Sequence, residues 1–279
     1  MTRRPSRLSR RNFMQLSLAN VGLIPVVTAK TLLGAEQPSA DLQATTSPLK
    51  IVCVGAHPDD PESGCGGTLA LYSEMGHRVT VIYLTRGERG IPGKSLEESA
   101  RIRTAEAEAA CKIIGAKPVF AGQIDGATEV SRSSSEAFAK LLSAEEANIV
   151  FTQWPIDTHP DHQAASILTI RTYVGTGRKF ALYFFEVNRG SQTLAFSPTD
   201  YVDITSSREK KKACLFVHKS QNGEQIYRNH LEIMEDFRGR EAGMKAAEAF
   251  IRLVGGGSIR QLPFRLFEME SGKSWHEAF

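Results

Sequence analysis

Cysteine is scarce in this chain: four occur in 279 residues, at Cys53, Cys65, Cys111 and Cys214, with no C-x-x-C pair among them. That is too sparse for a disulfide scaffold, and three of the four sit in apolar runs, as buried thiols do. Net charge is small as well. The 34 basic and 31 acidic residues leave a formal +3, which gives no support to nucleic-acid binding through bulk charge. No internal repeat or low-complexity tract is present. With 41% hydrophobic and 23% charged residues and ordinary glycine and proline, the chain can bury a substantial core, so a disordered or fibrous protein is excluded.

Acidic residues are wholly missing from residues 1–35, which hold Arg3, Arg4, Arg7, Arg10, Arg11 and Lys30 and an apolar stretch from Leu16 to Leu33. This is the charge logic of an export signal. Ser9-Arg10-Arg11-Asn12-Phe13-Met14-Gln15 resembles the twin-arginine signal, with Gln15 as the departure from the pattern. Pro25, Lys30 and the thin hydrophobicity of the run suit such a signal better than a membrane span. The resemblance implies passage through the twin-arginine export machinery of a protein already folded, often with its metal loaded, and a periplasmic or extracellular destination. A basic arm and an uncleaved membrane anchor are the other readings. Residues 36–48 read as a polar linker and 49–279 as the working domain. Six of the basic residues and none of the acidic ones lie in 1–35, so the remainder carries a formal charge of −3.

From Leu49 onward, apolar β-branched runs alternate with helical patterns. Strands are expected at Lys50–Gly55, Val79–Leu84, Pro118–Phe120 and Asn148–Thr152, with further strand-like runs at Phe180–Val187 and Tyr201–Ile204. Helices are expected at Glu62–Met75, after Ser95, and at Ser135–Leu142, Arg208–Val217 and Asn229–Phe250. Ser95 and Glu98 form a capping box, Ile102, Ala105, Ala109 and Ile113 an apolar stripe, and Gly115 a stop. Such alternation implies a Rossmann-like α/β fold, a mostly parallel sheet with helices on both faces.

Two histidine–aspartate clusters follow strands. Ala56-His57-Pro58-Asp59-Asp60 comes after the first, and Asp157-Thr158-His159-Pro160-Asp161-His162 after the fourth, with Gln153-Trp154-Pro155-Ile156 between. In a parallel sheet both loops leave the carboxyl edge of the strands and face one crevice. His57 and Asp60 stand three apart at a helix entrance, and His162 offers a third ligand from the opposite loop. Two histidines and a carboxylate with an open position suit a catalytic zinc site. Either cluster alone is also ordinary turn and N-cap material.

These clusters resemble the PIG-L (LmbE-like) de-N-acetylase family, together with Gly64-Cys65-Gly66-Gly67-Thr68-Leu69-Ala70, Leu84-Thr85-Arg86-Gly87-Glu88, Tyr201-Val202-Asp203-Ile204 and His218-Lys219-Ser220-Gln221. The resemblance spans about Leu49 to Phe250. It implies a zinc-dependent hydrolase, with Fe²⁺ as an alternative metal, that removes an N-acetyl group from an N-acetylglucosamine-type sugar or glycoconjugate. Carried over, His57, Asp60 and His162 bind the metal and Asp59 is the general base. His159 stabilises the oxyanion or protonates the leaving amine, with Asp161 orienting it and keeping it cationic. Pro61 departs from the family pattern, which often has Glu there; Glu62 follows one place later.

Arg86, Asp125 and His218 are candidate substrate contacts, each with a structural alternative: a solvated loop charge, a framework residue, a capping histidine. Tyr183, Glu186 and Asn188 read first as structural. Two other functions compete: a metal-dependent amidase on a non-sugar or thiol conjugate, and a non-enzymatic nucleotide-binding module. The latter lacks G-x-G-x-x-G after the first strand. An exposed sheet edge and Tyr183-Phe184-Phe185 leave a homo-oligomer open.

Overall fold

The computed structural model describes residues 47–187 and 192–254. Seven strands form one sheet in the order β3-β2-β1-β4-β5-β7-β6. They are β1 (Lys50–Gly55), β2 (Arg78–Tyr83), β3 (Ala116–Phe120), β4 (Ile149–Gln153), β5 (Ala181–Phe185), β6 (Asp200–Asp203) and β7 (Ala247–Arg252). The first five pair in parallel, with Ile51 of β1 opposite both Val79 and Ile149. β7 runs antiparallel to both β5 and β6. The alternating α/β reading therefore holds, with an antiparallel edge added.

β1 is buried on both faces, which is why its sequence is continuously apolar. Ile51 and Cys53 join a core under α1 (Asp60–Glu74), α2 (Leu96–Ile114) and α5 (Arg208–Phe216); Val52 and Val54 join a second under α3 (Arg132–Ala144) and α4 (Pro160–Gly175). All four cysteines are free and buried.

Two expectations need correcting. The helix read at 229–250 ends early: after α6 (Gly223–Ile226) and a π-helical turn at Tyr227–Leu231, α7 (Glu232–Ala242) stops at Gly243, whose φ of 69° is a left-handed cap. The chain then enters β7, where period-2 alternation sends Phe250 to the core against Phe151. Glu248, two residues earlier and therefore on the same face, accepts the Gly67 and Thr68 backbone N–H groups at 2.9 and 2.8 Å, while Lys211 Nζ stands 2.7 Å from it. This buried ion pair fixes α1, the helix that carries Asp60, to the antiparallel edge. The other correction concerns α2. Ser95 caps it through Glu98 N–H and Gly115 ends it as expected, but its buried face is Ala100, Arg103, Ala107, Ala110, Cys111 and Ile114, while Ala105 and Ala109 are exposed.

Strand order reverses about β1, whose neighbours are β2 and β4. A crevice opens at such a switch point, outside the carboxyl ends of the strands. The loops after β1 and β4 meet there, and they are braced together because Gln153 Oε1 accepts the Ala56 N–H at 2.9 Å.

Candidate active site

Three ligand groups converge. One nitrogen or oxygen from each of His57, Asp60 and His162 lies within 4.8 Å of the others, and all three residues are buried. His57 Nδ1 is 3.1 Å from Asp60 Oδ2, and His162 Nε2 is 3.4 Å from Asp60 Oδ1. Donor atoms bound to one tetrahedral metal at ~2.0–2.2 Å lie roughly 3.3–3.6 Å apart, so this donor set fits a divalent cation.

Each imidazole is held from behind by carboxylates. His57 Nε2 faces Asp161 Oδ2 at 3.1 Å and Asp125 Oδ1 at 3.3 Å, and His162 Nδ1 faces Asp157 Oδ1 at 3.1 Å. A carboxylate on the far nitrogen of a ligating histidine fixes the ring and its tautomer and raises its basicity. Four carboxylates (Asp60, Asp125, Asp157, Asp161) thus surround two imidazoles. The field is negative: burial by itself would lower the His57 pKa, yet the neighbouring carboxylates hold it well above the usual histidine range. His162, under the same contest of burial against Asp60 and Asp157, is raised to about 9. Asp60 goes the other way. Burial would raise it, but the two histidines hold it well below the ordinary carboxylate range. A cradle that binds protons this firmly on its nitrogens is a cradle for a cation.

Asp59 sits in the left-handed region at φ 109°, a conformation that costs a non-glycine residue energy and persists where the surroundings enforce it. Its backbone N–H donates to Glu62 Oε2 at 3.2 Å, and its carboxylate Oδ1 accepts from Arg103 Nη2 at 3.2 Å. Arg103 also donates to the Pro58 carbonyl. This buried guanidinium threads past Gly87 and Gly90, where a Cβ would come within 2.4 and 2.2 Å of its Nη1. Burial, partly offset by Arg103, pushes the Asp59 carboxyl up to about 6.

His159 is half-buried and N-caps α4, its Nδ1 accepting the Asp161 backbone N–H at 3.2 Å. Since Nδ1 accepts, a neutral His159 carries its proton on Nε2. Burial, with His57 and His162 nearby, lowers its pKa. The ring lies 4.7 Å from both His57 and His162 between centroids.

The expected orienting role of Asp161 takes a different form. Its carboxylate is turned from His159 to His57, to the Gly126 N–H at 2.7 Å and to the Thr128 hydroxyl at 2.6 Å; only its backbone N–H reaches His159. A second ligand grouping, His57, His159 and Asp161, is geometrically compact, but there the Asp161 oxygens are already committed to these donors.

A pocket of about 450 Å³ opens over this cluster. Asp125 lines it, as expected of a candidate contact, but Arg86 and His218 do not. Arg86 points to solvent, its Nε 3.5 Å from Glu88. His218 is fully buried behind the His57–Asp60 loop, its Nε2 3.4 Å from Glu62 Oε1; Glu62 also accepts from the Tyr83 hydroxyl. Tyr183 stacks on Phe151 in the core and Glu186 pairs with Arg238. Asn188 lies outside the described residues. Sequence reasoning missed Arg89, Arg103, Gln192 and Gln221, which line the pocket, and Asp157, whose place in the D-x-H-P-D-H spacing was the available signal.

Comparison with known proteins agrees with this arrangement. Residues 52–173 match the PIG-L family, described as GlcNAc-PI de-N-acetylase. A diacetylchitobiose deacetylase of Thermococcus kodakarensis is 28% identical over 233 residues, 77% of this chain and 86% of its own. The uncharacterized deacetylase YaiS of Escherichia coli is 30% identical over 144 residues, 48% of this chain and 75% of its own. A solved structure of N,N'-diacetylchitobiose deacetylase from Pyrococcus horikoshii, complexed with its inhibitor, superposes with a TM-score of 0.65 at 25% identity, covering 73% of this chain and 83% of that one. On its sequence, its fold and its histidine–aspartate cradle, this chain belongs to the PIG-L family.

Proposed function

We propose that this protein is a metal-dependent hydrolase that removes the N-acetyl group from an N-acetylglucosamine-type sugar or glycoconjugate, with Zn²⁺ as its metal. The observation that carries the reading is the juxtaposition of a three-donor cation cradle, His57, Asp60 and His162, with a half-buried carboxylate outside that donor set, Asp59, in one pocket. The deacetylase relatives supply the substrate class. The donor set, two imidazoles and one carboxylate, is the borderline chemistry that zinc prefers.

A divalent metal held there supplies Lewis-acid charge at the amide carbonyl and acidifies water. The chain's own groups do the rest. Asp59 takes a proton from the attacking water as the new C–O bond forms. The Nε2–H of neutral His159 donates to the developing oxyanion, a contribution on the order of 3 kcal/mol for a well-placed donor. When the C–N bond breaks, the proton held on Asp59 passes to the leaving nitrogen, so the products are a free amine and acetic acid, which gives up the second water proton to solvent and leaves as acetate. Arg103 keeps the Asp59 carboxylate aimed throughout. His159 therefore acts as a neutral donor here, in place of the cationic form expected from sequence.

We also infer export by the twin-arginine route from residues 1–35, which lie outside the described residues; among the described ones no helix is long and apolar enough to cross a membrane.

The test is a panel of N-acetylated sugars assayed for acetate release, beside N-acetylated peptides and thiol conjugates. Turnover of N-acetylglucosamine derivatives well above the non-sugar amides is expected. Turnover confined to the non-sugar amides would replace this reading with the amidase one.

A further inference from the structure

The arginines around the pocket are not equivalent. Arg103 is buried and committed to Asp59 and the Pro58 carbonyl, and Arg86 is paired with Glu88. Arg89 is exposed, lines the pocket, and has no carboxylate within ion-pair distance among the described residues. Its base is nevertheless fixed. The backbone N–H donates to Asp125 Oδ2 at 3.1 Å and Nε donates to the Asp125 carbonyl at 2.7 Å. Its stem lies over Gly126, where a Cβ would come 2.9 Å from Arg89 Cδ, and φ at that glycine is +72°. Gly126 donates in turn to Asp161, and Asp125 faces His57. Arg89 is thus anchored one carboxylate away from the metal cradle, with its two terminal nitrogens uncommitted. Around it stand Gly90 and Gln221, whose side-chain amide donates to the Gly90 carbonyl at 3.0 Å.

A guanidinium fixed through Nε and left open at both Nη atoms presents a planar fork of donors, the geometry that carboxylates and phosphates match in pairs. The other acidic groups lining the pocket are Asp60 and Asp125, whose two charges a divalent cation offsets, and Asp59, which is paired with Arg103. Arg89 is left as the cation facing the far part of a substrate whose acetamide lies on the metal side.

We propose that Arg89 makes this site selective for N-acetyl sugars whose aglycone carries an anionic group, a phosphate or a carboxylate. The proposal rests on the deacetylase reading of the site and deepens it.

The experiment compares three substrates with the metal-loaded protein: methyl N-acetylglucosaminide, carboxymethyl N-acetylglucosaminide and N-acetylglucosamine 1-phosphate. Wild type is expected to favour at least one anionic substrate over the methyl glycoside by about tenfold or more in kcat/KM, carried mainly by KM. Which of the two is preferred identifies the anion. Arg89→Ala is expected to collapse that ratio to near one, and Arg89→Lys to restore part of it for phosphate, because a point charge serves phosphate better than it serves a planar carboxylate pair. Equal use of neutral and anionic substrates by wild type, or a preference that survives Arg89→Ala, overturns the proposal and leaves the deacetylase reading standing. Should none of the three release acetate, that reading fails, and calorimetric binding of N-acetylglucosamine 1-phosphate to wild type and Arg89→Ala still decides. Affinity at least about tenfold weaker in the variant supports the anion site; equal affinity overturns it.

Discussion

Replacing Asp59 by Asn is expected to lower acetate release by about 10²- to 10⁴-fold, the range for loss of a positioned general base, with metal content unchanged. The substitution is nearly isosteric, an amide oxygen can still accept from Arg103, and the backbone geometry that holds the residue does not depend on its charge. Its φ of 109° is enforced through the backbone, by Glu62 accepting the N–H and by the first turn of α1, where Ser63 N–H donates to the Asp59 carbonyl at 2.9 Å. What changes is the proton acceptor. Burial, only partly offset by Arg103, raises the carboxyl to about 6, and a divalent cation beside it moves it back down. The base works when deprotonated, so kcat/KM should rise with pH and level off above a limb lying at or below about 6; in Asp59→Asn that limb should vanish from the residual activity. Near-normal turnover in the variant removes Asp59 from the chemistry.

His57→Ala and His162→Ala are expected to strip the metal altogether. Each removes one of three donors, and each leaves its supporting carboxylates, Asp125 and Asp161 behind His57 and Asp157 behind His162, without the ring they orient. Loss of an outer carboxylate partner alone typically weakens metal binding by about 10- to 100-fold, and loss of the ligand itself costs more. Both side chains are buried, so His57→Gln and His162→Gln serve as variants that fill the same space while offering a poorer ligand. Metal per chain after dialysis should fall from about one to near zero in the alanine variants and to an intermediate value in the glutamine ones, with acetate release falling in step. Full metal content in either alanine variant would remove that histidine from the cradle.

Much of this site could be read from the sequence because its parts are local. The A-H-P-D-D and D-x-H-P-D-H loops each follow a strand buried on both faces, and period and apolar continuity mark such strands plainly. Parallel topology then carries both loops to one edge. What escaped was whatever depends on packing between distant elements. Arg103 lies among alanines on α2, and an apolar stripe traced through Ala105 and Ala109 passes it by; it reaches Asp59 only because the buried face of that helix is rotated and two glycines clear its path. β7 was hidden because Ala246–Phe250 follows a helical pattern without a break other than Gly243, and its strand state is imposed by pairing with β5 and β6. His218 and Arg86 carry the residue types of a site, yet one is sealed behind Glu62 and the other turns to Glu88. The family resemblance assigns the Asp161 carboxylate to His159, whereas Gly126 and Thr128, 35 and 33 residues away, direct it to His57.

The most direct test of the account is a titration of chelator-treated protein with Zn²⁺, followed by acetate release from an N-acetylglucosamine derivative. Activity absent from the metal-free protein and rising linearly to a break at one equivalent per chain is the predicted result. Acetate release that survives complete removal of metal would contradict it.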